Sequence, residues 1–141
     1  MKKKGFTLIE LLVVIAIIGL LSTLAVVALG SARVKARDAK RMSDLKQVQT
    51  ALELYYTDQN SYPSGPATLG GTSAACLNAS GWTTTGCSSP YMAEVPSDPS
   101  SGSYVYTATT GSYKIDATLE GTVGSLSGQI NLTPGGIAEG A

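Results

Sequence analysis

Between Phe6 and Leu29 the chain runs 24 residues with one charged side chain, Glu10. As a helix rising 1.5 Å per residue, such a run crosses a hydrocarbon core of about 30 Å. It is apolar on every side rather than along one stripe, so it does not suit the surface of a water-soluble domain. Thr7, Ser22 and Thr23 can bond their hydroxyls within the helix. A carboxylate is harder to place: near the centre of a spanning helix it costs roughly 2.5–3.5 kcal/mol. The run therefore predicts a membrane-competent helix, and Glu10 needs a reason.

Three readings of the N-terminus compete. A secretory signal peptide fits the basic start (Lys2, Lys3, Lys4), but the run exceeds the usual 7–15 apolar residues and no clear Ala-x-Ala site follows. A plain single-span anchor explains the length and ignores Glu10. A short leader ending at Gly5, cut before the run, leaves the helix in the mature chain. Flanking charge does not choose among them. Arg33, Lys35, Arg37, Lys40, Arg41 and Lys46 follow the span, so counting positive residues mildly opposes an external C-terminal body.

The stretch KKKGFTLIELLVVIAIIG decides for the third reading. It closely resembles the class III signal of type IV pilins and type II secretion pseudopilins. The resemblance implies that residues 1–5 are a leader and that prepilin peptidase cuts after Gly5 and N-methylates Phe6. It also implies that Glu10 serves subunit addition. The physics agrees with that role. Cleavage creates an ammonium on Phe6 four residues from a carboxylate, and both are poorly solvated. The two can pair within one chain. They can also pair between neighbours displaced by about one helical turn, roughly 5.4 Å, so that the cost of a lone charge sets register.

Nothing but Gly30 interrupts the chain from Leu29 to Thr57, and the first proline is Pro63. Leu45, Val48, Leu52 and Tyr55 recur every three or four residues, with Met42 and Tyr56 assigned to the same side and charges to the others. One helix is expected over about 6–57: a transmembrane or filament-core half (6–29) and an amphipathic half (30–57). Asn60-Ser61-Tyr62-Pro63 stops it. The basic block at 33–46 reads as a solvated or headgroup-facing surface, with pairing to the acidic bodies of neighbouring subunits as the sharper alternative.

Residues 58–141 form the expected head. Formal charge is zero overall, yet beyond Lys46 one basic residue, Lys114, stands against seven acidic ones. That balance argues against nucleic acid as a direct partner. Residues 63–103 have loop composition and are expected to hold a short helix or turn. Cys76 and Cys87 read as one disulfide rather than two buried thiols, because the membrane segment implies export. Trp82, between them, is expected to pack against the disulfide or the long helix.

SYVYTATTGSYKIDATLE reads as a hairpin turning at Thr110-Gly111-Ser112. Tyr104, Tyr106 and Ala108 share one face; Tyr113, Ile115, Ala117 and Leu119 share one face of the returning strand. A weaker strand lies near Gly128–Leu132, and LTPGGIAEGA reads as a frayed tail. The Tyr62-Pro63, Val-Pro-x-Asp-Pro (95–99) and Tyr-x-Tyr patterns are similar to those of short type IVa pilins and major pseudopilins. The fold class is therefore α+β, a long N-terminal helix packed on a small antiparallel sheet, as in the pilin fold.

There is no histidine, nucleophile motif or phosphate loop, so no catalysis and no cofactor are expected. Asp98, Asp116 and Glu120 form a conceivable carboxylate set. Some major pseudopilins bind calcium near their C-terminal sheet, and the resemblance offers Asp98 and nearby carbonyls for it; no metal is assigned. The function expected is a structural subunit of a type IV pilus-like surface filament, with adhesion, motility or DNA uptake as outputs. The alternative is a major pseudopilin of a type II secretion system; a second is a non-polymerising single-span surface protein. The implied partners are like subunits, prepilin peptidase and an inner-membrane assembly platform. The implied location is the cytoplasmic membrane, then the outside of a prokaryotic cell.

Overall fold

The computed structural model describes residues 5–85 and 87–140. Lys2, Lys3, Lys4 and most of the expected leader lie outside the described residues. Helix α1 spans Leu8–Gln59 without a break, two residues from the expected limits at each end. It stops where Asn60 turns left-handed at φ 53° and its amide donates to the Tyr56 carbonyl at 2.8 Å. Asparagine tolerates that conformation, and Pro63 then prevents the helix from resuming.

The chain divides into two compact units, residues 1–34 and 35–141. In the first, the described apolar side chains from Phe6 to Leu29 are exposed on all sides. A helix apolar all round is stable only when hydrocarbon or other helices cover it. Thr23 returns its hydroxyl to the Leu20 carbonyl at 2.8 Å, as expected for a helix in a dry environment.

In the second unit, α1 packs on a sheet of order β1-β4-β5-β6-β7, every neighbour antiparallel. The strands are β1 (Ala67–Leu69), β4 (Tyr104–Thr109), β5 (Ser112–Val123), β6 (Leu126–Thr133) and β7 (Gly136–Glu139); β2 (Cys76–Asn78) and β3 (Gly81–Thr83) form a separate hairpin. Leu45, Val48, Leu52 and Tyr55 of α1 meet Tyr104, Tyr106, Tyr113, Ile115, Ala117, Leu119, Ile130 and Leu132 of the sheet. Each leucine, isoleucine or valine among them, fully buried, contributes about 1.5–3 kcal/mol. The alternation expected for β4 and β5 holds, with Tyr104, Tyr106, Tyr113 and Ile115 essentially inaccessible. Thr110 and Gly111 form the turn, and Gly111 takes φ +72°, a conformation that costs glycine little.

Three expectations are corrected here, in whole or in part. LTPGGIAEGA is not a frayed tail: Gly136–Glu139 pairs with β6, and Ile137 packs against the core. The Pro134-Gly135 turn closes a hairpin in which Ile137 joins Ile130 and Leu132 of β6 at the core. Of the short helix or turn expected in residues 63–103, the turn is present and the segment otherwise holds β1 and the β2–β3 hairpin, because the Cys-closed loop folds back on itself with Leu77 opposite Trp82. Tyr56, expected on the apolar side, is exposed outside the core and packs on Tyr62 with ring centroids 4.8 Å apart.

Candidate functional site

Gly5, Phe6 and Thr7 precede α1 as exposed, irregular chain. Phe6 is 84% exposed. Glu10 sits one turn in. Its Oε2 accepts from the Thr7 amide at 2.8 Å and from the Thr7 hydroxyl at 2.6 Å. The Glu10 amide donates back to Thr7 Oγ1 at 3.3 Å. Thr7-Leu8-Ile9-Glu10 is thus a capping box, in which the side chains of the first residue and the fourth satisfy each other's backbone amides. The carboxylate also meets the positive end of the helix dipole. The sequence carries this signal as T-x-x-E before an apolar run.

Cys76 and Cys87 are joined, with Cα atoms 6.3 Å apart. Thr83 Oγ1 lies 3.2 Å from one sulfur and 3.3 Å from the other. The stapled hairpin is tied to the chain beyond it by Leu77 with Met92, and by the Val95 amide donating to the Ala75 carbonyl at 2.9 Å. Trp82 stacks edge-on against Tyr106, at 5.3 Å, so its main aromatic contact is with the sheet.

The strongest feature of the head is one the sequence reading assigned to solvent. Asp38, Arg41 and Asp44 are buried, Asp38 and Arg41 to 1% exposure. Their spacing explains it. The stripe Leu45, Val48, Leu52, Tyr55, carried back by the same three-and-four step, arrives at Arg41 and Asp38. Periodicity predicted the face; the charge of the residues concealed that they share it.

Arg41 spends its guanidinium on four residues. Nε donates to Asp98 Oδ2 at 2.7 Å, and Nη2 to Asp98 Oδ1 at 3.0 Å, a bidentate pair. Nη2 also reaches Ser100 Oγ and Glu120 Oε1, each at 2.7 Å, and Nη1 reaches Asp38 Oδ1 at 2.6 Å. Arg37 pairs with the same Glu120. The β5–β6 ladder slips between Thr118 and Thr122, and in that interval the amides of Glu120 and Gly121 donate to Asp38 at 3.0 and 2.8 Å. A bulge here re-aims backbone donors from a neighbouring strand to a helix. Asp44 takes Lys40 at 2.9 Å and the Tyr104 hydroxyl at 3.2 Å.

The Arg41 guanidinium holds Asp98 well below the usual carboxylate range, and its carboxylates hold Arg41 further above its already high value. Arg37 and Arg41 lower Glu120 to about 2. Of the three carboxylates considered together from sequence, Asp98 and Glu120 converge on Arg41. Asp116 does not; it pairs with Lys114 on its own strand at 3.0 Å.

Comparison with known proteins gives two family matches. Residues 28–131 match the family described as type II secretion system, protein G, and residues 1–30 match the prokaryotic N-terminal methylation motif. Type II secretion system core protein G of Pseudomonas aeruginosa is 33% identical over 113 residues, covering 76% of this chain and 75% of that one. Core protein G of Pectobacterium carotovorum is 43% identical over 63 residues, 45% of this chain and 40% of its own length. The type IV wide pilus major component of Thermus thermophilus is 46% identical over 66 residues, 47% of this chain and 50% of that one. This chain thus spans about two fifths of the length of the first curated relatives it matches. No solved structure matches it.

Proposed function

The chain belongs to the type IV pilin and pseudopilin family, on the side of type II secretion system protein G, and from that membership we propose that it is a structural subunit of a secretion pseudopilus. The observation that carries the choice is the match across residues 28–131, which extends through most of the head. The apolar helix serves either filament and separates nothing. The likeness to a type IV pilus component over 66 residues keeps the surface pilus as the second reading.

In this reading the subunit is inserted as a membrane precursor, cut after Gly5 and methylated on Phe6. It then joins homologous subunits at an inner-membrane platform through residues 6–29. The capping box gives Glu10 two uses. Before assembly Thr7 satisfies it locally, so the lone carboxylate is tolerated. After cleavage an ammonium one residue ahead of Thr7 competes for the same carboxylate, of which Thr7 occupies only Oε2, and a charged donor bonds roughly twice as strongly as a neutral one. The pairing that drives subunit addition thus replaces a bond the helix can spare.

Deleting the gene tests the choice of filament. A pseudopilin predicts secreted proteins missing from the medium with long surface filaments intact; lost filaments with normal secretion would transfer the assignment to a pilus. Glu10→Val should leave membrane insertion and head folding unchanged and reduce filament yield at least tenfold by sedimentation. Normal yield would remove Glu10 from assembly.

A further inference from the structure

Calcium near the C-terminal sheet is a property that resemblance to major pseudopilins raises, with Asp98 as the residue that would hold it. Calcium takes 6–8 oxygen ligands at 2.3–2.6 Å. The surroundings of Asp98 are the opposite kind. Oδ1 accepts from the Ser100 amide at 2.8 Å, the Ser100 hydroxyl at 3.0 Å, the Gly102 amide at 3.3 Å and Arg41 Nη2 at 3.0 Å. Oδ2 accepts Arg41 Nε at 2.7 Å. Those neighbours are donors, and a cation approaching the carboxylate meets their hydrogens.

Glu120, the other carboxylate that an ion bridging loop and sheet would use, is taken by Arg37 and Arg41. The open cleft beside Asp98 offers no better set. It is lined by Lys40, Asp44 and Glu94 among others, and there Lys40 Nζ already sits on both oxygens of Asp44, at 2.9 and 3.1 Å. Among the described residues, no cluster of three or more acidic, Cys or His side chains is arranged to hold a metal.

We infer that in this chain the Arg41 guanidinium is the resident cation of the loop–sheet junction, so that the Asp98 site takes no calcium and the head is ordered without it. One covalently attached cation joins Asp38 on α1, Asp98 and Ser100 in the 96–102 connection, and Glu120 on β5. An ion bridging the same elements would make the same ties. The connection is seated independently of any ion as well: Gly70 lies so close to Pro96 and Ser97 that a Cβ there would fall 2.6 Å from both backbones. The inference holds whether the filament is a pseudopilus or a pilus.

The full chain in detergent micelles tests it, with calcium chloride as the probe. Thermal unfolding is followed by circular dichroism in millimolar calcium and in excess chelator. In parallel, the Arg41 Nε–H resonance is read by NMR. An ion held at a hundredfold below the calcium concentration would raise the midpoint by roughly 10 °C. The expected shift is under about 1 °C, with the Nε–H signal unmoved. A saturable rise accompanied by loss or displacement of the Arg41 signal would overturn the inference. A rise with the Arg41 signal undisturbed would place the metal elsewhere and leave the junction as inferred.

Discussion

Glu10 and Arg41 lie on one helix, and each is a charge on an otherwise apolar stretch or stripe of it. They are satisfied in different ways. Glu10 is answered three residues back, by Thr7. Arg41 is answered partly by Asp38 on its own helix, but its other partners come from 57 to 79 residues away. A locally satisfied charge can exchange its partner while the fold stays intact. A charge satisfied from across the sequence is part of the fold, and removing it leaves several groups without a partner. The first suits a step in assembly; the second suits a permanent junction.

Removing Arg41 strains that contrast most. Arg41→Ala leaves Asp38 and Asp98 buried without their cation. Breaking such a pair from one side costs about 3–5 kcal/mol. Chemical denaturation of the full chain in micelles should show that loss, and Arg41→Lys should recover only part of it, since an ammonium lacks the planar fork. If Arg41→Ala unfolds no more easily than the parent chain, the junction is not what holds the head.

The staple comes next. Opening the loop with Cys76→Ala and Cys87→Ala together should cost about 3 kcal/mol by loop entropy, less any residual order in the open loop. Denaturation of the double variant checks this, and non-reducing peptide mapping of the parent should find the linked pair.

Acid provides a graded test of the Arg41 junction. Asp98 and Glu120 both titrate lower in the folded head than their ordinary values of 3.8 and 4.5, Glu120 at about 2. Groups depressed by folding add stability that is fully present above the unfolded values and lost as pH falls toward the folded ones. The midpoint should therefore be flat above about pH 5 and fall between about pH 4.5 and 2. In Arg41→Ala that slope should be shallower, because much of the depression is gone.

The smallest effect is expected at the capping box. Thr7→Val removes one cap, about 1 kcal/mol of local helix stability. The head's unfolding midpoint should not move. Fraying should appear only in amide exchange of residues 8–11. A head that loosens in Thr7→Val would contradict the separation between local and long-range satisfaction.

Much of this was legible in the residues. The helix limits and the Tyr104–Leu119 hairpin follow from patterns that repeat within a few positions, and the Cys76–Cys87 pairing from two cysteines in a chain read as exported. β7 was missed because one apolar residue, Ile137, in a Gly-rich tail carries no period, and its ladder with β6 exists only once β6 is in place. The Arg41 junction was missed for a related reason. Its helical spacing was visible, but a charged residue on an apolar stripe is normally read as a stripe that has ended.

The sequence alone determined a membrane-competent helix with one carboxylate and a small head with two cysteines; cleavage after Gly5 and methylation of Phe6 are what its resemblance to prepilin signals implies. The helix and its lone carboxylate are read from composition and hydrophobic period, which one chain displays. The tertiary structure decided which charges are inside. Burial of Arg41 depends on Asp98 and Glu120 arriving from separate parts of the chain, and on a slip in the β5–β6 ladder that turns two amides toward Asp38. No local rule ranks that outcome above solvent exposure. The energy of a buried charge is fixed by its partners, and the fold brings those partners together.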